Sequence, residues 1–563
     1  MKKIYYKLLL ITGIIATFMM SSCGESLLEN LDPNQTVGKG DGGLDEATSG
    51  NIAGLFLTAQ QKLHDIGNNG GPHVYQVQYN IHIDNYAGYM AGTQNFAGNL
   101  PSTYAYFPDY ANSPKASFFN VSQATMPVIR AAKKLNLQEI GAMCEIIFCY
   151  SALELSDIYG PFPWYDYRLD KQEPPLTYEP MSDIYDSIFV HLKESAKILE
   201  EYTTTSKEHQ DSVQTILSSY DRICGANTDN WRRFANTICM RMALRMSNVN
   251  PERAKAEAQA AINAGLITKN VEYNVAMESL MNPLAFISYQ WNDTRLNASM
   301  ENIMKRLHFP IMDLWFENNS GDIEDAQGNV TLQGNSKILG MRTGIPTTAR
   351  DGANQYVKFS GTSTTYGVKP IYLLKMSERY FLEAEAEVRW GIGSLLAKQL
   401  YDNGIKELFK DENINATDSK YKNYYAQEKA DETINYVDYY DNGYNLDGII
   451  TIGVKWNEKD EPKIKLEKII TQKWLANFPQ GLEAWNDLRR TGYPRIFPVE
   501  DIGDGSLTSG QLIRRIPWDM TEASSLEDIE STGIPALGGS NEEVTRLWWD
   551  CTDPAGLSDN DRF

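Results

Sequence analysis

The sequence predicts a mainly α-helical protein in which helix pairs stack as a solenoid scaffold, with long loop-rich excursions and little β structure. Three observations carry this. Apolar residues recur at helical spacing through several long runs. Asn, Pro and Gly stand at the ends of those runs, so consecutive helices are joined by tight turns. The length of 563 residues also exceeds the ~150 of an ordinary domain several-fold, which a solenoid accommodates in one body.

The elements follow in chain order. Residues 117–158 read as two helices carrying Met126, Ile129, Leu135, Ile140, Met143, Ile146, Ile147, Tyr150 and Leu153, stopped at Asp157-Ile158-Tyr159-Gly160-Pro161. A helix from Pro180 bears Ile184, Ile188, Leu192 and Leu199. Asp229 is expected to cap a helix with Trp231, Phe234, Ile238 and Met242 on one face; Asn250-Pro251 opens an Ala-rich partner closed by Gly265. Such antiparallel pairs are the unit of an α-solenoid. Near the C-terminus, Tyr380, Phe381, Ala384 and Val388 line a helix ended by Gly391, and Ser394 opens the next. Ile469, Ile470, Trp474, Leu475 and Phe478 form a further face, and Pro479-Gln480-Gly481 turns the chain into Leu482, Trp485 and Leu488. The scaffold is tetratricopeptide-like, without that motif's full consensus or a strict period. Excursions are expected at 66–116, 268–372 and 411–463.

The N-terminus reads as an address. Lys2, Lys3 and Lys7 precede an apolar run from Leu8 to Met20, too short at ~13 residues to span a bilayer, and Ser21-Ser22-Cys23 follow. Small residues before a cysteine resemble a bacterial lipobox, with Met20 where Leu is usual. This implies a signal peptide over 1–22 and lipidation of Cys23; the competing reading is an ordinary signal peptide with a free cysteine nearby. Residues 23–50, rich in Gly, Asn, Asp and Glu, read as a spacer, and 51–563 as a single helical domain.

Formal charge is −21, and −24 once 1–22 are removed, because that segment carries three lysines and no acid. Nucleic acid and other polyanions are repelled by such a field, so no nucleic-acid partner is expected. Tyr (32) outnumbers Phe (19), which gives many rings a polar tip. Cys144, Cys149, Cys224, Cys239 and Cys551 remain beyond Cys23, an odd number; Cys144 and Cys149 face apart on one helix and read as core. The six histidines are scattered and lack metal-site spacing, so neither metal nor cofactor is expected.

The segment IITQKWLANFPQGLEAWNDLRRTGYPRI (469–496) is similar to the signature of the SusD/RagB nutrient-binding outer-membrane lipoproteins. Ser156 to Pro163, Tyr380 to Trp390, Leu400 to Ile405, Arg515-Ile516-Pro517-Trp518 and Leu547-Trp548-Trp549-Asp550 resemble further blocks of that family, in order. The resemblance implies a surface protein, held to the outer membrane by its lipid and facing the exterior, that captures a glycan or other nutrient. It also implies delivery to a SusC-like TonB-dependent transporter as partner, and no catalysis. Trp474, Phe478, Trp485 and Leu488 are expected to be core, Arg489 and Arg490 to pair with carboxylates or helix carbonyls, and Asp157 to satisfy backbone donors at its turn.

A glycan site needs rings for sugar C–H faces and amides or carboxylates for hydroxyls. Two excursions have that composition, 75–110 and 286–315, and the site is expected where they meet. The expected ligand residues are Trp291, Tyr289 and Tyr104 as rings, with Asn292, Asp293 and Asn85 orienting hydroxyls. The ligand is expected to be neutral or cationic. Two other classes stay open at this level: a peptide- or protein-binding scaffold, and a lipid-anchored glycoside hydrolase, which needs two converging carboxylates. No nucleophile elbow, His-Glu-x-x-His or phosphate loop favours catalysis.

Overall fold

The computed structural model describes residues 47–63, 71–93, 104, 108–345, 354–500, 507, 510–521 and 523–562. Cys23, the signal-peptide segment and most of the spacer lie outside them. All described residues fall in one contact unit, Asp45–Phe563.

The scaffold is built from antiparallel helix pairs, as expected. α1 (Ile52–Lys62) packs on α2 (Ser113–Ala132), and α2 on α3 (Gln138–Tyr159). α3 also contacts α4 (Met181–Glu201), which after α5 (Lys207–Tyr220) is followed by the pair α6 (Thr228–Arg245) and α7 (Pro251–Ala264). α3 is buried on almost every side, because it is apolar almost all round and sits between α2, α4 and α6. Close approach to α2 depends on Gly141, where a Cβ would come within 2.5 Å of that of Ala132. Among its buried acids, Glu145 is held by a bidentate Arg168 at 2.7 and 3.2 Å.

α7 begins and ends where local chemistry dictates. Asn250 Oδ1 accepts the Arg253 N–H, Pro251 occupies the first turn, and Gly265 takes φ 91°. α6 corrects the expected cap: Asn227, not Asp229, accepts the Asn230 N–H, and Asp229 inside the first turn pairs with Arg232 and Arg233. The last pairs are α9 (Met376–Trp390) with α10 (Ala397–Asp411), and α11 (Pro462–Asn477) with α12 (Gly481–Thr491). α10 starts three residues beyond the expected Ser394, with Gln399 reaching back to the Leu396 N–H.

The excursions contribute short structure of their own. They hold helix α8 (Ala298–Arg306) and three two-stranded antiparallel ribbons: β1 (Met90–Gly92) with β3 (Thr294–Leu296), β2 (Val271–Tyr273) with β6 (Ile371–Leu374), and β4 (Ile323–Glu324) with β5 (Val330–Leu332).

Trp474, Phe478, Trp485 and Leu488 are fully buried, and the indoles of Trp474 and Trp485 donate to Ala87 O and Ile513 O at 2.9 and 3.0 Å. Arg490 pairs with Glu385 and with Asp487 (2.9 Å), whereas Arg489 donates to the carbonyls of Arg514 (2.6 Å) and Asp157 (2.8 Å). Asp157 departs from expectation. Its carboxylate takes Arg245, Tyr185 Oη (2.6 Å), Trp549 Nε1 (3.0 Å) and Asn486 Nδ2 (3.3 Å), so it ties four helical or C-terminal segments together through side chains rather than backbone donors. Cys144, Cys149, Cys224 and Cys239 are free and buried, and Cys551 is free and half-buried.

Candidate ligand-binding site

The two polar-aromatic excursions do meet. β1 and β3 pair in register Met90 with Leu296, Ala91 with Arg295 and Gly92 with Thr294. Upstream of β1, a short helix (Gly71–Tyr75) runs into a π-helical segment, Gln76–Asp84; upstream of β3, a second π-helical segment, Phe286–Trp291, ends at Asn292. Wider helical turns of this kind displace side chains from the ordinary register and are frequent at functional sites.

Asn292 takes φ 60°, a left-handed conformation that Asn tolerates better than most residues. Its side chain and carbonyl are both used: Arg295 Nη2 donates to Oδ1 at 2.6 Å and Thr93 Oγ1 donates to O at 2.8 Å. Arg295 also donates to Ser288 O (2.6 Å) and Val357 O (3.0 Å), so one buried guanidinium fixes the loop on both flanks. Asp293, 6% exposed, accepts from Gln76 Nε2 at 2.9 Å, and its carbonyl accepts the Thr93 N–H at 3.0 Å. Asn354 Nδ2 closes the frame on Thr93 O at 2.7 Å.

On this frame Tyr289 is the presented ring, 46% exposed, with exposed Gln290 and Asn292 beside it. Trp291 is half-buried and stands edge-on to Phe286 at 5.3 Å and 87°. Tyr104 and Asn85 lie elsewhere in the packing. Tyr104 is 1% exposed, its hydroxyl accepts the Ile513 N–H at 2.9 Å and its ring meets Tyr86 edge-on at 5.2 Å. Asn85 is 2% exposed at the end of its π-helical segment. Both are corrected from ligand-facing to interior, because the packing turns those side chains into the core. Tyr289, Trp291 and Asn292 remain at the surface, and Asp293 supports them from beneath.

Sequence reasoning missed a small cavity of about 40 Å³ between the scaffold and the first excursion. Its walls include Tyr75, Tyr79, Tyr150 and Tyr372, with Glu154 at the polar side. Burial pushes the Glu154 carboxyl up to about 8, and that of nearby Asp84 up to about 7. The residues come from distant segments, and no spacing in the sequence signals their convergence. Among the described residues no group of His, Cys, Asp and Glu is arranged to hold a metal ion. Among them, too, no helix is long and apolar enough to cross a membrane.

A comparison with curated proteins gave no match. Solved structures are similar over nearly the whole chain. A chitin-binding SusD homolog from Flavobacterium johnsoniae is 28% identical with a TM-score of 0.73, covering 90% of this chain and 99% of that one. A SusD homolog from Bacteroides thetaiotaomicron is 26% identical with a TM-score of 0.73, covering 89% and 98%. One from Bacteroides vulgatus, at 24% identity and a TM-score of 0.77 over 89% and 98%, shares the fold. The sequence profile described as SusD-like, "Susd and RagB outer membrane lipoprotein", matches residues 41–550. With that profile spanning most of its length and the helix-pair fold matching solved SusD homologues, the chain belongs to the SusD-like family of outer-membrane lipoproteins.

Proposed function

We propose that this family member is a binding protein, not an enzyme, that captures a glycan at the Tyr289–Asn292 surface. The observation that carries this reading is the pairing of β1 with β3, which brings the two polar-aromatic excursions together and leaves the Tyr289 ring presented on a frame fixed by Arg295 and Gln76. A rigid ring offers stacking area at small entropic cost, and neighbouring amides orient hydroxyls. Asp293, the acid of this surface, is buried and engaged with Gln76, which suits support rather than acid catalysis.

The Flavobacterium homologue is a chitin-binding protein, which makes N-acetylglucosamine oligomers the first ligands to test here. A neutral sugar chain also agrees with the net charge, which opposes polyanions. On this reading Cys23 carries the lipid, the body faces the exterior, and the captured glycan passes to a SusC-like TonB-dependent transporter. The experiment is a binding screen of the protein against neutral polysaccharides, uronic-acid polymers and peptides, with product analysis. Saturable binding of a neutral glycan without turnover is the expected result; binding of peptides alone, or cleavage of the glycan, would overturn the reading.

A further inference from the structure

The cavity between the first excursion and the scaffold has a chemistry distinct from that of the Tyr289 surface. Tyr75 and Tyr79 enter it from the short helix and the π-helical segment that follows, Tyr150 from α3 and Tyr372 from β6. Tyr75 and Tyr79 pack 5.4 Å apart at 39°. Aromatic faces carry negative charge density and attract cations; Lys375 already stands 4.5 Å from the Tyr372 ring centre and Arg241 5.9 Å from that of Tyr150, so Tyr75 and Tyr79 are the rings the argument rests on.

The charges around the cavity do not balance locally. Glu483 lines it, but its carboxylate is compensated by Arg245 and by Arg241 at 3.4 Å. Arg241 is further held by Glu378 at 2.7 Å, and Lys375 by Ala476 O at 2.6 Å with Asp411 3.8 Å away. Glu154 has no such counterpart. Its one hydrogen bond among the described residues comes from Tyr79 Oη at 2.9 Å, and no Lys, Arg or His among them lies within ion-pair distance. Behind Tyr75, the carboxylate of Asp84 takes Tyr75 Oη (3.3 Å) and Asn80 Nδ2 (3.0 Å) on one oxygen, while the other is buried with no partner among the described residues. Two carboxylates without a cation therefore flank the Tyr75–Tyr79 pair. Asp84 is fully buried and Glu154 partly so, and a carboxylate withdrawn from water in this way either holds a proton or pairs with a positive charge.

We propose that this cavity is a separate binding site for the ammonium group of a small organic amine. The ammonium donates to Glu154, which no described protein cation pairs with, and its carbon substituents pack against Tyr75 and Tyr79. Once Glu154 is ionised, a neutral molecule of the same shape leaves its charge unmatched, and an anion is repelled. The assignment does not depend on the glycan reading of the Tyr289 surface.

Protonation gives the site a signature. The groups facing Glu154 are Tyr79 from the π-helical segment, Tyr150 and Asp157 on its own helix, Arg241 on α6 and Glu483 on α12. Arg241, the cation in this set, is already committed to Glu378 and Glu483 and is not free to replace the ligand. With Glu154 protonated below about 8 and an alkylammonium charged up to about 10, binding should tighten at least tenfold between pH 6 and pH 9.

The test is calorimetric or NMR titration of the full mature protein at pH 9 with methylammonium and tetramethylammonium, using tert-butanol as the neutral control. Glucosamine and Nα-acetyl-lysinamide, in parallel titrations, distinguish an amino sugar from a lysine side chain as the source of the amine. Saturable binding of the ammonium ions, no binding of tert-butanol, and at least a tenfold loss in Glu154→Gln are expected. Tyr79→Phe, which keeps the ring and releases the carboxylate oxygen, should bind at least as tightly as the parent. Absence of saturable ammonium binding, equal binding of tert-butanol, or undiminished binding by a folded Glu154→Gln variant would overturn the proposal. Should Glu154→Gln fail to fold, the parent's pH profile decides: a flat profile from pH 6 to pH 9 overturns it as well.

Discussion

Gln76 Nε2 donates to Asp293 Oδ2 at 2.9 Å, joining residues 217 positions apart and binding the first polar-aromatic excursion to the second. Both side chains are buried, so the bond acts away from solvent competition. Gln76→Ala leaves the Asp293 carboxylate short of one donor. The expected cost is about 1–3 kcal/mol of stability, with weakened glycan binding because the Tyr289 loop loses its anchor. Denaturant melts paired with binding titrations check this; an unchanged melt and unchanged affinity would show that the Thr93 and Arg295 bonds suffice without it.

Trp485 and Trp474 belong to the scaffold. Each is fully buried in the α11–α12 region with its indole N–H satisfied by a carbonyl. Trp485→Ala and Trp474→Ala should each cost about 3–5 kcal/mol, lowering the unfolding midpoint. Any loss of glycan binding should track that destabilisation, disappearing at a temperature where both proteins are fully folded.

Two buried carboxylates respond to pH in opposite senses. Burial alone would raise Asp487, but Lys473 and Arg490 hold it down at about 2, so its contribution is present above the unfolded value of about 4 and is lost as pH falls toward 2. Arg490→Ala should remove that contribution and, by leaving Glu385 and Asp487 without a shared partner, cost about 3–5 kcal/mol at neutral pH. Asp84 is raised by burial to about 7, so the folded state is favoured at pH 4 and loses that advantage as pH climbs to 7. Asp84→Asn should therefore gain stability relative to the parent at pH 8, by about 1 kcal/mol or more, and not at pH 4. Thermal melts across pH 3–9 read both slopes.

Cys23→Ala should shift the protein from the membrane fraction to the soluble fraction, because the lipid proposed on Cys23 is what holds the body to the membrane. Fractionation and mass spectrometry of the N-terminal peptide check it. An anchored variant, or an unmodified Cys23 in the parent, would remove the lipid from that residue.

The scaffold is legible in the sequence wherever local chemistry decides structure. Asn250, Pro251 and Gly265 bracket α7 because cap, first turn and positive-φ stop are each written in adjacent residues. The start of α6 is less so. Asn227, Asp229 and Asn230 are all capping types, and which one reaches a free N–H depends on the entry angle of the chain. Asp157 shows the limit for charge: its partners Arg245, Asn486 and Trp549 stand far along the chain, and periodicity does not encode such pairings. Composition locates two excursions that the structure joins, but it counts rings without their facing. Tyr104 therefore reads like Tyr289 although one is enclosed and the other presented. The tyrosine-lined cavity is beyond sequence reasoning because its walls come from separate elements that only tertiary packing brings together.

The central claim is that the Tyr289–Asn292 surface holds a neutral glycan, and the most direct measurement is a calorimetric titration of the parent, Tyr289→Ala and Trp291→Ala. The titrants are N-acetylglucosamine oligomers and, alongside, whichever neutral glycan the screen identifies. Saturable binding by the parent is predicted, with at least a tenfold loss, about 1.4 kcal/mol, in each variant and its thermal midpoint preserved. Unchanged affinity in folded Tyr289→Ala and Trp291→Ala, for a glycan the parent binds, would contradict it.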